Sequence, residues 1–155
     1  MDHLLALIVA QAEPASQGWL RDWVTAWKIH PILVNFTAAL IPVSVFSDIA
    51  ARLWNNVSLR IVGYWTMLFA AAITPFTVVA GWLFWDHNDN GDLHMTIHKW
   101  LGTSMAVILI GVFAWRATSQ VQSRRPGWLY LLVGLAIVAA LIYQGNLGGE
   151  KAFGM

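Results

Sequence analysis

Residues 61–85 read Ile61-Val62-Gly63-Tyr64-Trp65-Thr66-Met67-Leu68-Phe69-Ala70-Ala71-Ala72-Ile73-Thr74-Pro75-Phe76-Thr77-Val78-Val79-Ala80-Gly81-Trp82-Leu83-Phe84-Trp85. No charged residue falls between Arg60 and Asp86. A helix needs about 20 mostly apolar residues to cross the hydrocarbon of a bilayer, and this stretch has that length and character. Water would not wet such a surface; lipid would. Pro75 should kink the helix, and the carbonyls it frees can be met by Thr74, Thr77 or a neighbouring helix.

Three further stretches meet the same test: about 30–53, 98–118 and 127–147. The first opens on His30-Pro31, a proline suited to a first helical turn. The last follows Arg124-Arg125-Pro126-Gly127, a loop signal. The chain of 155 residues is 58% hydrophobic and only 11% charged, with ten tryptophans. A soluble domain carries about 25% charged residues. The expected fold is therefore all-α: an up-down-up-down four-helix transmembrane bundle over 30–155. Residues 1–29 form an N-terminal arm ahead of it. No internal repeat is visible in the sequence.

Four spans place both termini and the 86–97 loop on one side, and the two short loops on the other. The short-loop side carries Arg52, Arg60, Arg116, Arg124 and Arg125 against one acid, Asp48. The terminal side carries Arg21, Lys28, Lys99 and Lys151 against Asp2, Glu13, Asp22, Asp86, Asp89, Asp92 and Glu150. Basic residues in short loops mark the cytoplasmic face. The expected location is a bacterial inner membrane, multi-pass, with both termini periplasmic. The net charge of +1 gives nucleic-acid binding no electrostatic footing. The absence of cysteine excludes thiolate metal sites, disulfides and cysteine nucleophiles.

Within the arm, Leu4 to Ala10 is a short apolar run, and Ala10-Gln11-Ala12 resembles a signal-peptidase site. The n-region, with Asp2 and His3, lacks Lys and Arg, so an apolar arm at the membrane surface is the plainer reading. Trp19, Trp23 and Trp27 recur at i, i+4 and i+8. They form one aromatic stripe on an amphipathic interfacial segment, for anchoring or for docking other membrane-protein subunits.

All five histidines, His3, His30, His87, His94 and His98, fall on the terminal side. A histidine in lipid is costly unless paired, ligated or wet. His30 and His98 open the first and third spans, which sit diagonally in such a bundle. Two facing imidazoles can take both axial positions of a b-type haem. Gly102, one turn after His98, would let a flat macrocycle approach the backbone. Lys28 and Lys99 could meet its propionates. The plainer alternative is two interfacial histidines bonded to water or headgroups. His94 and His98, four apart, could instead share a Zn²⁺ or Cu²⁺ with a third ligand.

The loop Asp86-His87-Asn88-Asp89-Asn90-Gly91-Asp92-Leu93 has the oxygen spacing of the start of a calcium loop. Asp86, Asn88, Asn90 and Asp92 are candidate Ca²⁺ ligands, with His94 beside them. Ile97 stands where the bidentate glutamate belongs, so binding should be weak; the rival is an ordinary polar turn. Asp48 lies inside the first span, and Arg52 at i+4 is its expected partner. No arrangement for nucleophilic or acid–base catalysis stands out, so the chain is expected not to be an enzyme.

Three stretches together, His30-Pro31-Ile32-Leu33-Val34-Asn35-Phe36, His98-Lys99-Trp100-Leu101-Gly102 and Gly145-Asn146-Leu147-Gly148-Gly149, resemble a bacterial four-helix membrane family, domain of unknown function family 2231. Its members carry His-Pro-x-x-Val-His-Phe, His-x-x-Leu-Gly and Gly-His-Leu-Gly-Gly in that order. This chain has Asn35 and Asn146 where the family has histidines. The resemblance implies a membrane protein with histidine-linked function, with one of two histidine pairs kept. The leading expectation is a small, non-catalytic subunit of a larger membrane complex, carrying one haem b at His30 and His98 for periplasmic electron transfer. The rivals are a purely structural accessory subunit, with or without calcium, and a metal or small-solute transporter.

Overall fold

The computed structural model describes residues 18–84, 92–118 and 125–153. It contains a short helix and four long ones: α1 (Trp19–Ala26), α2 (Ile29–Trp54), α3 (Val57–Phe84), α4 (Leu93–Thr118) and α5 (Trp128–Phe153). Each long helix has at least 26 residues. At 1.5 Å rise per residue that is about 39 Å, enough to cross the roughly 30 Å hydrocarbon with a turn to spare. All four are apolar enough to cross a membrane. This is the four-helix transmembrane bundle expected.

The bounds differ from the hydropathy reading where capping chemistry takes over from hydropathy. Asn55 ends α2 with φ 51°, a left-handed conformation that asparagine tolerates. Its neighbour Asn56 accepts the Leu59 N–H at 3.2 Å and so caps α3. Two asparagines thus make the whole turn, and α3 starts four residues ahead of the purely apolar stretch. Asp92 likewise caps α4: its Oδ1 accepts the N–H groups of His94 at 2.9 Å and Met95 at 3.4 Å. Both N–H groups would otherwise be unpaired in the first turn. Pro75 and Pro42 both lie within helices that run on past them. Thr74 and Thr77 bond the Ala70 and Ile73 carbonyls, not the Ala71 carbonyl that Pro75 leaves without its helical N–H.

α2 packs on α3 and α5, and α4 packs on the same two, so α2 and α4 face each other across the diagonal. The core between them is small and apolar: Ile41, Val45, Met67, Ala70, Met105, Leu109, Leu131 and Ile137. The outside is apolar too. Phe76, Val107 and Ile142 are each 69% exposed. A water-soluble domain would not leave such a belt uncovered; it is the surface that contacts lipid. α1 packs against α2 and α3 at the histidine-bearing end. It buries Val24 while Trp19 and Trp27 stay 79% and 65% exposed. Lys28, with φ 49°, breaks the chain between α1 and α2.

Candidate functional site at the histidine end

His30 and His98 face each other across the diagonal, their ring centroids 6.4 Å apart and their planes at 88°. The two rings are held in the same way. The His30 Nδ1–H donates to the Thr77 carbonyl at 2.9 Å, and the His98 Nδ1–H donates to the Gln144 carbonyl at 3.0 Å. A carbonyl can only accept, so each bond fixes the proton on Nδ1 and leaves the lone pair on Nε2. That is the arrangement by which proteins present an imidazole to a metal.

Each imidazole rests where a glycine follows its carbonyl partner by one turn. A Cβ on Gly81 would lie 2.8 Å from the His30 Cε1, and a Cβ on Gly148 would lie 2.9 Å from the His98 Cε1. Real Cβ atoms do not approach so closely, so any larger residue would push the ring out. Gly148 belongs to the Gly-x-Leu-Gly-Gly stretch, and this contact gives that glycine its reason. Gly81 and Gln144 drew no notice in the sequence, and Thr77 drew it only for its hydroxyl beside Pro75, because a carbonyl and a missing side chain leave no mark in residue chemistry.

The same contact is made twice. His98 follows His30 by 68 positions, while Gln144 and Gly148 follow Thr77 and Gly81 by 67. At the other end Arg116 follows Asp48 by 68. The two helical hairpins therefore make the same contact at the histidine end, although no repeat is visible in the sequence.

The other expected site residues fall out as follows. Gly102 lies on α4 with the Gln144 amide against it; a Cβ there would come 2.5 Å from Nε2. Lys99 places its Nζ 3.8 Å over the Trp82 ring, beside Trp100. His94 meets Glu150 Oε2 at 3.2 Å on the exposed surface. Among the described residues no group of three or more His, Cys, Asp or Glu is placed to hold a metal ion. Asp92 is the cap of α4. Asp86, Asn88 and Asn90 lie outside the described residues.

Asp48 is a correction. Its partner is not Arg52 on the same helix but Arg116 across the bundle, with Nη2 2.6 Å from Oδ1 and both side chains buried. Arg52 instead donates to the Pro126 carbonyl at 2.9 Å and stacks 4.5 Å from the Trp128 ring centroid. The interior offers Asp48 a partner on the opposite helix; the i, i+4 rule describes exposed helix surfaces.

Two imidazoles on one metal ion, with bonds of about 2 Å and ring radii of about 1 Å, have centroids about 6 Å apart. The observed separation of 6.4 Å matches that span, and it also matches an edge-to-face contact of two unligated rings. Among the described residues no third side chain joins the two ring nitrogens, and a group that supplies its own equatorial ligands, as haem does, needs only two.

A family model described as "Predicted membrane protein (DUF2231)" matches residues 26–155. Among curated proteins, Transmembrane protein 117 of Mus musculus and Transmembrane protein 117 of Homo sapiens are each 26% identical over 76 residues. That stretch is 48% of this chain and 14% of either relative, so the chain spans a small part of the length of those proteins. No solved structure gives a significant match.

Proposed function

The chain belongs to the DUF2231 family of predicted membrane proteins, and we propose that it is a small, non-catalytic electron-transfer subunit of a larger membrane complex. In this reading His30 and His98 hold one b-type haem at the periplasmic side of a bacterial inner membrane. The observation that carries it is the pair of facing imidazoles, each with Nδ1–H fixed on a backbone carbonyl. Such a haem takes up and returns one electron.

The residues of the chain contribute position and surroundings. The Thr77 and Gln144 carbonyls orient the rings and raise the basicity of Nε2. Gly81 and Gly148 keep open the space that each ring occupies. Gln144 would have to swing its flexible amide off Gly102 for a macrocycle to reach that backbone. Lys28 and Lys99 are the cations near enough in sequence to meet propionates. Asn35 and Asn146 are exposed, and an amide is a poor haem ligand, so one centre is proposed and not two. Partner subunits dock through the exposed faces of Trp19, Trp23 and Trp27.

The rival reading is a purely structural subunit, in which Asp92, a candidate calcium ligand, serves as the cap of α4. The optical spectrum of the purified protein separates the two readings. Haem absorption that requires both His30 and His98 supports electron transfer. A colourless protein from haem-replete cells supports the structural role.

A further inference from the structure

We infer that the Gln144 side chain is a specificity-determining contact of the histidine site and holds a propionate of the macrocycle there; this rests on the haem reading and adds a residue to it. Gln144 already serves the pair through its backbone, whose carbonyl accepts the His98 Nδ1–H. Its side chain lies against the buried Gly102 of α4, where a Cβ would come 2.5 Å from the amide nitrogen. That amide has no hydrogen-bond partner among the described residues, although Gln144 is half-buried. An amide withheld from water without a partner costs free energy.

The other polar side chains nearby are committed. Thr37, Thr74 and Thr77, buried in the same half of the bundle, each donate their hydroxyl to a carbonyl of their own helix. Thr103 donates to the Lys99 carbonyl and accepts the Trp82 indole N–H. Lys99 itself rests over the Trp82 ring, on the α3 side of α4. On the α5 side, Gln144 is the group with hydrogen-bonding capacity to give.

Its position selects the ligand. Gly102 follows His98 by one turn of α4, a rise of about 5.4 Å, comparable with the half-width of a porphyrin. A group centred between the two Nε2 atoms brings its rim, not its iron, to Gly102 and Gln144. The rim of a b-type haem carries methyl, vinyl and propionate groups, and of these the propionate carboxylate is the hydrogen-bond acceptor. An amide N–H bonded to a carboxylate is charge-assisted, roughly twice as strong as a neutral pair. Rotation of the flexible side chain off Gly102 lets the amide reach that rim. The contact favours a macrocycle with free carboxylates and orients it about the axis through the two rings.

Transfer of haem from the purified protein to a scavenging globin, followed by absorbance, tests this. Wild type, Gln144→Leu and Gln144→Glu are each loaded with haem b and with its dimethyl ester, whose carboxylates are masked. Every variant keeps the backbone carbonyl at this position, and the α-band reports that both imidazoles remain on the iron. Gln144→Leu, close in size but without hydrogen-bonding groups, should release haem b about tenfold faster than wild type, the scale of one charge-assisted hydrogen bond. Gln144→Glu, which sets a carboxylate against the propionate, should release it faster still. The ester should leave wild type and Gln144→Leu at the same rate. Wild type holding haem b no longer than the ester, a comparison free of any substitution, would overturn the contact. So would equal release of haem b by wild type and Gln144→Leu. Equal acceleration of both macrocycles by Gln144→Leu would assign Gln144 to packing alone and overturn it too. In those outcomes the α-band survives and the haem reading stands; a wild type without an α-band removes that reading and this contact together.

Discussion

Two glycines and one ion pair decide whether the two ends of this bundle close. Gly81 and Gly148 each leave space that an imidazole fills. Alanine at either position should crowd His30 or His98 and destabilise by about 1–3 kcal/mol, the usual cost of overpacking. Gly111 has nothing within 4 Å of its would-be Cβ, so Gly111→Ala should be neutral or slightly stabilising, since alanine is the better helix former. Thermal unfolding of the three variants in detergent checks the contrast. At the other end, Asp48 and Arg116 are buried together, and Gly63 is the only residue that fits there, because a Cβ would overlap the Asp48 carboxylate. Removing one partner of a buried pair strands a charge and typically costs about 3–5 kcal/mol. Asp48→Asn and Arg116→Gln should each cost on that scale, and the double variant clearly less than their sum. A double-mutant cycle by denaturant unfolding measures the coupling, and additive costs would remove the pair as a structural determinant.

At the scale of the helices, what the sequence disclosed depended on the range of the force involved. The four spans were legible because hydropathy is summed over a whole segment, and the placement of His30 and His98 followed from the alternating direction of those spans. The caps were less so. The stretch beginning at Asp86 resembles a calcium loop, yet Asp92 within it caps α4 through its own backbone neighbours. Both roles use the same carboxylate, so composition alone does not separate them. Asp92→Asn keeps a capping oxygen and should preserve stability, while Asp92→Ala should lose about 1 kcal/mol. Melting both variants with calcium and with chelator tests the cap against the ion. A calcium-dependent gain in wild type that Asp92→Asn abolishes would assign Asp92 to the ion. The partner of Asp48 was not legible at all. Proximity in sequence favours Arg52, and only the fold brings Arg116 to it from 68 positions away. The matched offsets of the histidine and charge pairs are a signal that could have found it, had the two hairpins been compared position by position.

Considered whole, the molecule is two hairpins with opposite chemistry at their ends: paired imidazoles at one and, among the described residues, arginines with one carboxylate, Asp48 bonded to Arg116, at the other. The charge asymmetry predicts orientation, since basic residues in short loops stay in the cytoplasm. Cysteines introduced singly at Ser58 and Leu93, both exposed, should respond oppositely to a membrane-impermeant thiol reagent on intact spheroplasts. Leu93→Cys should label and Ser58→Cys should not; the reverse pattern would invert the topology and move the histidine pair to the cytoplasmic side. The central claim concerns that pair, and its most direct test is one optical measurement. Spectra of the purified protein, oxidised and then reduced with dithionite, should show a sharp reduced α-band of a bis-imidazole haem, absent from His30→Ala and from His98→Ala although both variants remain folded. A colourless wild-type protein from haem-replete cells, or an α-band that survives in both variants, would contradict it.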